Sequence, residues 1–469
     1  MLTLDVLYDP KTKINFDGTV PGLSWSKDGE YCFQRKADPK SQKTEWMRVH
    51  AVTGIATPLF ESLRLEAQAR CTLNPNGTAL LFTHGNDLFY CRSGRADEVE
   101  PIRLAGGVDT IIGEQFSPDG KMVSFVRNYD LWMFDIASGR ERELTAGGNE
   151  RLLNGRLDWV YQEEIYGSGN FKGYWWSPDS ENIAYLSLDE SDVTLHTLVD
   201  RIAPHPGLEV MNYPKAGDPN PKASLGIVST VTGKNRWVDL SKYGSEEFLI
   251  VRAGWTPDSL RVVYQIQDRE QRWLDLNVGS ATLIEERSPA WVGVCGEPHW
   301  LKDGSFLWTS ERTGWKHLYH YTTDDKLATL IRPVTSGQWE VRSLLGVDEA
   351  RGFVYFSGTE YSPIASHTYR IRLDGTGLKR LTAAEGTHRS VFNQKFTHFI
   401  DYWSDIDTPT QVRLFTADGD EVRVIDANPV AELKQYRLRT PKLLQVKTRD
   451  GFDMEALMIK PPDFDSTHK

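Results

Sequence analysis

Short apolar runs separated by polar turns recur along the chain. The clearest copies are Leu23 to Phe33, Leu73 to Phe82, Phe116 to Phe125, Trp176 to Tyr185 and Trp255 to Tyr264. In each, Ser, Thr or Asn is followed by Lys or Pro, then by Asp-Gly, Asn-Gly or Asp-Ser, and a second apolar run begins. Proline presets the backbone of the first turn residue and Asp-Gly supplies the special angles of a tight turn, so each copy is predicted to be a β-hairpin. Weaker copies at Trp300 to Trp308, Leu345 to Phe356 and Phe392 to Tyr402 bring the number to eight.

A second hairpin follows in each repeat. Asp130 to Gly139 leads on to Arg142, His367 to Gly375 leads on to Lys379, and further turns fall at Thr53-Gly54, Ser93-Gly94, Thr232-Gly233 and Asp418-Gly419. Two hairpins make four strands, and a four-stranded unit recurring about every 45 residues is the signature of a β-propeller blade. The expected architecture is therefore all-β, an eight-bladed β-propeller of four-stranded blades over residues 21–433, preceded by an N-terminal segment, 1–20.

The repeat spacing shows where this scaffold has been modified. Turn positions Asp28, Asn76, Asp119, Asp179, Asp258 and Asp303 are about 45 residues apart except before Asp179 and Asp258, where about 60 and about 80 residues intervene. The first surplus contains Asp158 to Phe171, and the second contains Asp189 to Pro221 with the proline-rich run Tyr213 to Pro221. Insertions that leave the blades intact are expected to emerge as loops, where binding residues concentrate.

In the first insertion the carboxylates of Glu163 and Glu164 follow Trp159 and Tyr161. Adjacent acids on a surface loop are ordinarily a solvated face. Here Trp159, Tyr161 and Tyr166 can pin the segment to the scaffold, so that the acids are preorganised to hold a cation.

Composition narrows the partners. With 469 residues, 39% of them hydrophobic, the chain has enough apolar material for a large core. A net charge of −11 argues against nucleic acid, because such binders present Lys and Arg to release counterions. It suits a cationic ligand such as a peptide N-terminus. No run approaches the length of a membrane span, and Met1 to Val20 lacks the apolar core of a signal peptide. Neither membrane partner nor cofactor is expected.

Cys32, Cys71, Cys91 and Cys295 show no metal-ligand spacing, and His317 with His320 has no third ligand candidate nearby, so no metal site is expected. Cys71 and Cys91 are assigned to the first and third strands of the second blade, about 9–10 Å apart at ordinary strand spacing and beyond the ~7 Å reach of a disulfide. Both are expected to be thiols.

The stretch Trp159 to Glu164, then Trp175 to Pro178, Tyr213 to Gly217 and Glu297 to His299, resembles the dipeptidyl peptidase IV subfamily of the prolyl oligopeptidase serine peptidases, in its bacterial type. The likeness runs from about Leu4 onward with the motifs in the family's order. It implies an N-terminal propeller over a C-terminal α/β-hydrolase domain, with Glu163 and Glu164 binding the free amine of a peptide. Relatives also use a second-blade arginine on a substrate carbonyl, but Phe82 to Leu88 offers none here, and Val292 to Gly296 lacks the aromatic and arginine expected near the second subsite. Relatives dimerise through an extension of the fourth blade together with the hydrolase. The corresponding stretch is read as Thr230 to Phe248, which is short, so a homodimer is expected of the full-length form and at most weak association of this chain.

Leu443 to Ile459 reads as a hairpin turning at Asp450-Gly451 and resembles the opening strands of that hydrolase domain, so residues 434–469 are expected to be its truncated start. No G-x-S-x-G occurs in the sequence, which removes the nucleophile elbow and its oxyanion hole. The chain is expected to lack the catalytic Ser, Asp and His and to be inactive alone.

The expected function is the substrate-gating, amine-binding propeller of a serine exopeptidase that releases Xaa-Pro type di- or tripeptides, an aminopeptidase acting in proteolysis. The alternative is a stand-alone propeller that binds a peptide or protein without chemistry. A glycosidase-like use of the two acids is disfavoured, since neighbours on one segment cannot flank a glycosidic bond. The residues leave the compartment open; the resemblance implies a periplasmic or secreted protein.

Overall fold

A computed structural model describes residues 2–37, 41, 43–60, 63–74, 76–94, 100–107, 111–202, 204–244, 247–324, 326–461, 463–465 and 467. Eight antiparallel sheets follow one another along the chain, each with four strand positions in sequence order. They open with Leu23–Trp25, Cys71–Leu73, Ile111–Phe116, Leu152–Asn154 together with Tyr174–Trp176, Phe248–Trp255, His299–Trp300, Val341–Asp348 and Thr387–Phe392. They close with Ala56–Pro58, Ile102–Ala105, Arg140–Glu143, Asn235–Trp237, Ala281–Arg287, Ala328–Pro333, Lys379–Arg380 and Glu421–Asp426.

All eight expected hairpins join the first two strands of their sheets, and Pro75 of the second copy lies outside the described residues. Each turn contains one left-handed residue: Gly29, Gly77, Gly120, Ser180, Ser259, Gly304, Gly352 and Phe396. The polar residues of the motif lock the turn. Ser26, Ser117, Ser177 and Thr256 donate their hydroxyls to Asp28, Asp119, Asp179 and Asp258 at 2.5–2.7 Å, and each aspartate accepts the N–H two residues on. At Ser180 (φ 67°) and Ser259 (φ 63°) a left-handed serine costs roughly 1 kcal/mol. Their hydroxyls offset this by accepting the N–H of Asp119 (3.1 Å) and Asp179 (3.0 Å) from the preceding sheet. The tryptophans of the motif act likewise: Trp176 Nε1 donates to Ser124 Oγ at 2.7 Å and Trp255 Nε1 to the Trp175 carbonyl at 3.0 Å.

The chain forms two compact units. One comprises Glu66–Arg312 with Tyr319–Ile331 and contains the second to fifth sheets; its largest core cluster includes Leu157, Tyr161, Ile250, Leu276 and Trp308. The other comprises Met1–Leu65, Thr313–Leu318 and Arg332–Lys469 and contains the first, seventh and eighth sheets. Within it the first sheet packs on the eighth. Trp25 Nε1 donates to the Val391 carbonyl (2.9 Å), Asn393 to the Gly29 carbonyl (3.0 Å) and Arg423 to the Ala51 carbonyl (2.8 Å), over a core of Cys32, Ile400, Tyr402 and Leu414. Burial there pushes the Cys32 thiol up to about 12.

Cys71 and Cys91 lie on the first and third strands of the second sheet, and the four cysteines are thiols rather than disulfide partners. His317 contacts Thr335 and Gly337, and His320 contacts Ser305. Leu4–Tyr8 is a short helix, and Lys442–Lys447 pairs with Asp453–Met458 through a turn in which Gly451 is left-handed. No helix among the described residues is long and apolar enough to cross a membrane.

Two expectations need correction. The second insertion is a two-stranded ribbon, Leu195–Asp200 paired with Gly207–Asn212, rather than a loop. The projecting extension of the fourth sheet is therefore this ribbon, whereas Thr230 to Phe248 holds, among the described residues, the short strand Asn235–Trp237, a 3₁₀ turn at Ser241–Tyr243 and the first residue of Phe248–Trp255. The proline-rich run signals a loop, yet the strands lie before it, with apolar residues on alternate positions.

One close approach in the fourth sheet is testable. Gly226 pairs with Tyr185, whose ring lies over it so that a Cβ would stand 2.4 Å from Cζ. Gly226→Ala is expected to lower stability by about 1–3 kcal/mol through overpacking, read as an earlier midpoint in chemical denaturation.

Candidate functional site

The first insertion leaves the sheet in the middle of a strand. Leu152–Asn154 and Tyr174–Trp176 both pair with Asn182–Asp189, and the residues between them bulge out as a loop with a closed stem. Gly155 N–H donates to the Leu186 carbonyl (2.8 Å), Leu186 N–H to Gly173 (2.8 Å) and Gly173 N–H to Gly155 (2.9 Å). Gly173 is required by this closeness, because a Cβ there would meet Leu157 Cδ2 at 2.8 Å.

Above the stem, Tyr161–Ile165 forms a single π-helical turn, closed by Tyr166 N–H on the Tyr161 carbonyl (2.8 Å). A lone turn has little stability of its own, and side chains supply it. Asp158 accepts the N–H groups of Val160 (3.1 Å) and Tyr161 (3.0 Å). Tyr161, fully buried, accepts the Ile250 N–H at its hydroxyl (3.2 Å), and Tyr166 donates its hydroxyl to the Ile250 carbonyl (3.2 Å). Arg252 Nη1 donates to the Ile165 carbonyl (2.9 Å), with its guanidinium 5.3 Å from the Tyr166 ring centre. Trp159 packs at 4.2 Å against Tyr213, which in turn faces His196 of the ribbon.

Glu163 and Glu164 occupy the exposed side of this turn. Adjacent residues of a strand would point to opposite faces; on a helical turn they diverge by only about 100°, so both carboxylates can address one cation. Glu163 Oε2 accepts the Ser168 hydroxyl at 2.7 Å and Gln162 Nε2 at 3.4 Å. Neither acid has an ion pair, and Glu164 has no hydrogen bond, among the described residues. Buried Gln162 holds the loop from below by accepting the Gly169 N–H at 2.7 Å.

Beneath the exposed pair lies a buried one. Desolvation raises the Asp158 carboxyl to about 6, against the two N–H groups it accepts. Desolvation, then the charge of Asp158, raises Glu190 to about 7 despite the Asn212 amide at 3.1 Å and nearby Arg156 and Arg151. Lys172, at the loop's exit, is lowered to about 8 by burial and donates to Gln115 (2.8 Å). Among the described residues no cluster of three His, Cys, Asp or Glu groups is placed to hold a metal ion.

The two acids singled out in the sequence thus stand together, whereas Asp158, Ser168, Arg252 and Glu190 join the site only in the structure. Asp158 three residues before Tyr161 is the available signal, since an acid there can cap a helical turn. Arg252 carries no local signal, because it reaches the loop from about 90 residues away in the next sheet.

Folded values above the ordinary carboxylate range favour the protonated forms of Asp158 and Glu190, so the stability they confer is full below about 4 and is lost as pH rises to about 7. Glu190→Gln keeps the acceptor for Asn212 and is expected to flatten this decline by on the order of 1–3 kcal/mol. Denaturant titrations between pH 4 and 8 measure it.

Residues 95–410 match the family described as the dipeptidyl peptidase IV (DPP IV) N-terminal region. Among curated relatives, a probable dipeptidyl-aminopeptidase B of Emericella nidulans is 29% identical over 83% of this chain and 46% of its own length. A probable dipeptidyl peptidase 4 of Aspergillus flavus is 26% identical over 96% of this chain and 62% of its own. The crystal structure of Porphyromonas gingivalis dipeptidyl peptidase 4 superposes with a TM-score of 0.82 at 25% identity, covering 96% of this chain and 65% of that one. The fold is the all-β, eight-bladed β-propeller, and the chain spans about half the length of the curated relatives it matches.

Proposed function

The chain belongs to the dipeptidyl peptidase IV N-terminal region family, and from that membership we propose that it is the propeller of a serine exopeptidase, in which Glu163 and Glu164 bind the free amine of a peptide. The observation that carries this reading is the pair of uncompensated carboxylates on a turn held by four hydrogen bonds to Asp158, Ile250 and Arg252. An ammonium about 3–4 Å from one carboxylate gains on the order of 4 kcal/mol at an effective dielectric of 20, before desolvation is subtracted. Fixing the N-terminus limits how many residues extend to the scissile bond, which is how a binding domain sets release of di- or tripeptides and turns away blocked chains. The Ser, His and Asp of the chemistry belong to the α/β-hydrolase domain that residues 434–469 resemble at their start.

We also place a homodimer contact of the full-length form on the ribbon. Its register puts Leu195, Val199, Leu208 and Val210 on one face, and all four are exposed, Leu208 at 71%. An exposed apolar strand pair of this kind favours self-association. Val210→Glu is expected to shift sedimentation of the full-length protein toward the monomer; an unchanged profile would remove the ribbon from the interface.

The amine reading is tested by calorimetric titration of short Xaa-Pro peptides into the chain. Glu163→Gln and Glu164→Gln are each expected to weaken binding of free-amine peptides by about tenfold or more, because each removes the charge from a charge-assisted hydrogen bond. N-acetylated peptides should bind poorly to all three proteins. Equal affinity of both variants and the parent for free-amine peptides would return the two acids to a solvated face.

A further inference from the structure

Beside the acidic turn, the first two strands of the fifth sheet and the segment that leads into the sixth line a small polar pocket whose groups the amine site leaves unused. It holds about 40 Å³ and is lined by Arg252, Gly254, Trp255, Gln265, Glu297 and Trp300, among others. One water needs about 10–15 Å³ of such space, so the pocket admits the head of a small side chain.

Its relation to the acids is direct, because Arg252 Nη1 is bonded to the carbonyl of Ile165, the residue after Glu164. Arg252 and Gln265 are cross-strand partners, which sets both side chains on one face of the sheet. Gly254, two residues along that face, contributes no side chain, and a Cβ there would have Glu297 Oε2 at 3.9 Å as its nearest neighbour.

Three groups in the pocket retain unused hydrogen-bonding capacity. Gln265, 1% exposed, donates Nε2 to the Gly296 carbonyl at 2.8 Å, and its Oε1 has no donor. The Gly296 carbonyl can only accept, so the amide orientation is determined and the open atom is the oxygen. A buried acceptor without a donor is costly unless a ligand supplies one. Glu297 has no hydrogen bond or ion pair among the described residues, and crowding by protein raises its carboxyl even with Arg252 near. Arg252 uses Nη1 on the Ile165 and Val251 carbonyls, leaving its other donors.

Two acceptors and one donor, in a lining that includes Trp255 and Trp300, specify the complement. A primary carboxamide donates its N–H groups to Gln265 Oε1 and the Glu297 carboxylate and accepts from Arg252 with its oxygen. An ammonium would meet the acceptors but face the guanidinium; a carboxylate would meet Arg252 but face Glu297. We propose that this pocket is the subsite for an Asn or Gln side chain on the residue whose amine is held by Glu163 and Glu164. The assignment rests on the amine reading and adds a first-residue preference to it.

Titration of Gln-Pro-Ala, Asn-Pro-Ala, Ala-Pro-Ala, Lys-Pro-Ala and Glu-Pro-Ala into the chain tests it, with Trp fluorescence as a second readout. The amide peptides are expected to bind about five- to tenfold more tightly than Ala-Pro-Ala, the net yield of one or two hydrogen bonds. Gly254→Val fills the pocket at a strand position that favours a branched side chain; it should erase that preference and leave Ala-Pro-Ala unchanged. Glu297→Gln should reduce it without emptying the pocket. Equal binding of the Gln and Ala peptides, or tighter binding of the Lys or Glu peptide than of either amide, overturns the proposal. An amide preference that survives N-acetylation would keep the pocket and discard the amine site, while dependence on a free amine with no amide preference would do the reverse.

Discussion

Two tyrosine hydroxyls grip the backbone of Ile250, one accepting its N–H and the other donating to its carbonyl, and the placement of the acidic turn depends on that grip. Ile250 lies on the opening strand of its sheet, whose free edge has unpaired backbone groups. A register shift between Ile250 and Arg252 bends the strand at that point. The loop of one sheet thereby completes the hydrogen bonding of the next, and Arg252 returns the bond from the far side of the shift. A π-helical turn of five residues could not hold its shape without such external ties.

Burial sorts the carboxylates of this region by role. Asp158 and Glu190 lie in the protein at 5% and 4% exposure and spend their oxygens on Val160, Tyr161 and Asn212. Glu163 and Glu164 remain in solvent, where a charge costs little until a ligand arrives. The buried pair joins the two insertions, since Asp158 caps the acidic turn while Glu190 bonds Asn212 at the end of the ribbon, and Trp159 packs, tilted, against Tyr213 next to it. Surface acids and projecting ribbon therefore share one foundation.

The eight-sheet order, the hairpin turns and the acidic pair were legible in the sequence because each rests on neighbours in the chain. Ser-x-Asp-Gly closes a turn through bonds spanning two to five residues, and the tryptophan at the end of the opening strand recurs in register with it. The conversion of the second insertion into a ribbon was legible in principle from the alternation of Leu195, Thr197 and Val199, but prolines farther along suggested a loop. What the sequence alone could not reveal was that the first insertion interrupts a strand, since Leu152–Asn154 and Tyr174–Trp176 share the partner Asn182–Asp189 only once the sheet is formed.

By itself, then, the sequence determined the repeat, its turns and the presence of two adjacent acids between aromatics, all consequences of local backbone preference and side-chain type. Tertiary structure decided that those acids stand on the exposed side of a helical turn, that Ile250 and Arg252 anchor it, and that Gln265 and Glu297 share a pocket beside it. These depend on strand register and on which sheets become neighbours, across separations of about 90 residues between loop and anchor. Register is set by the burial of whole faces at once, so no single stretch of the chain contains it.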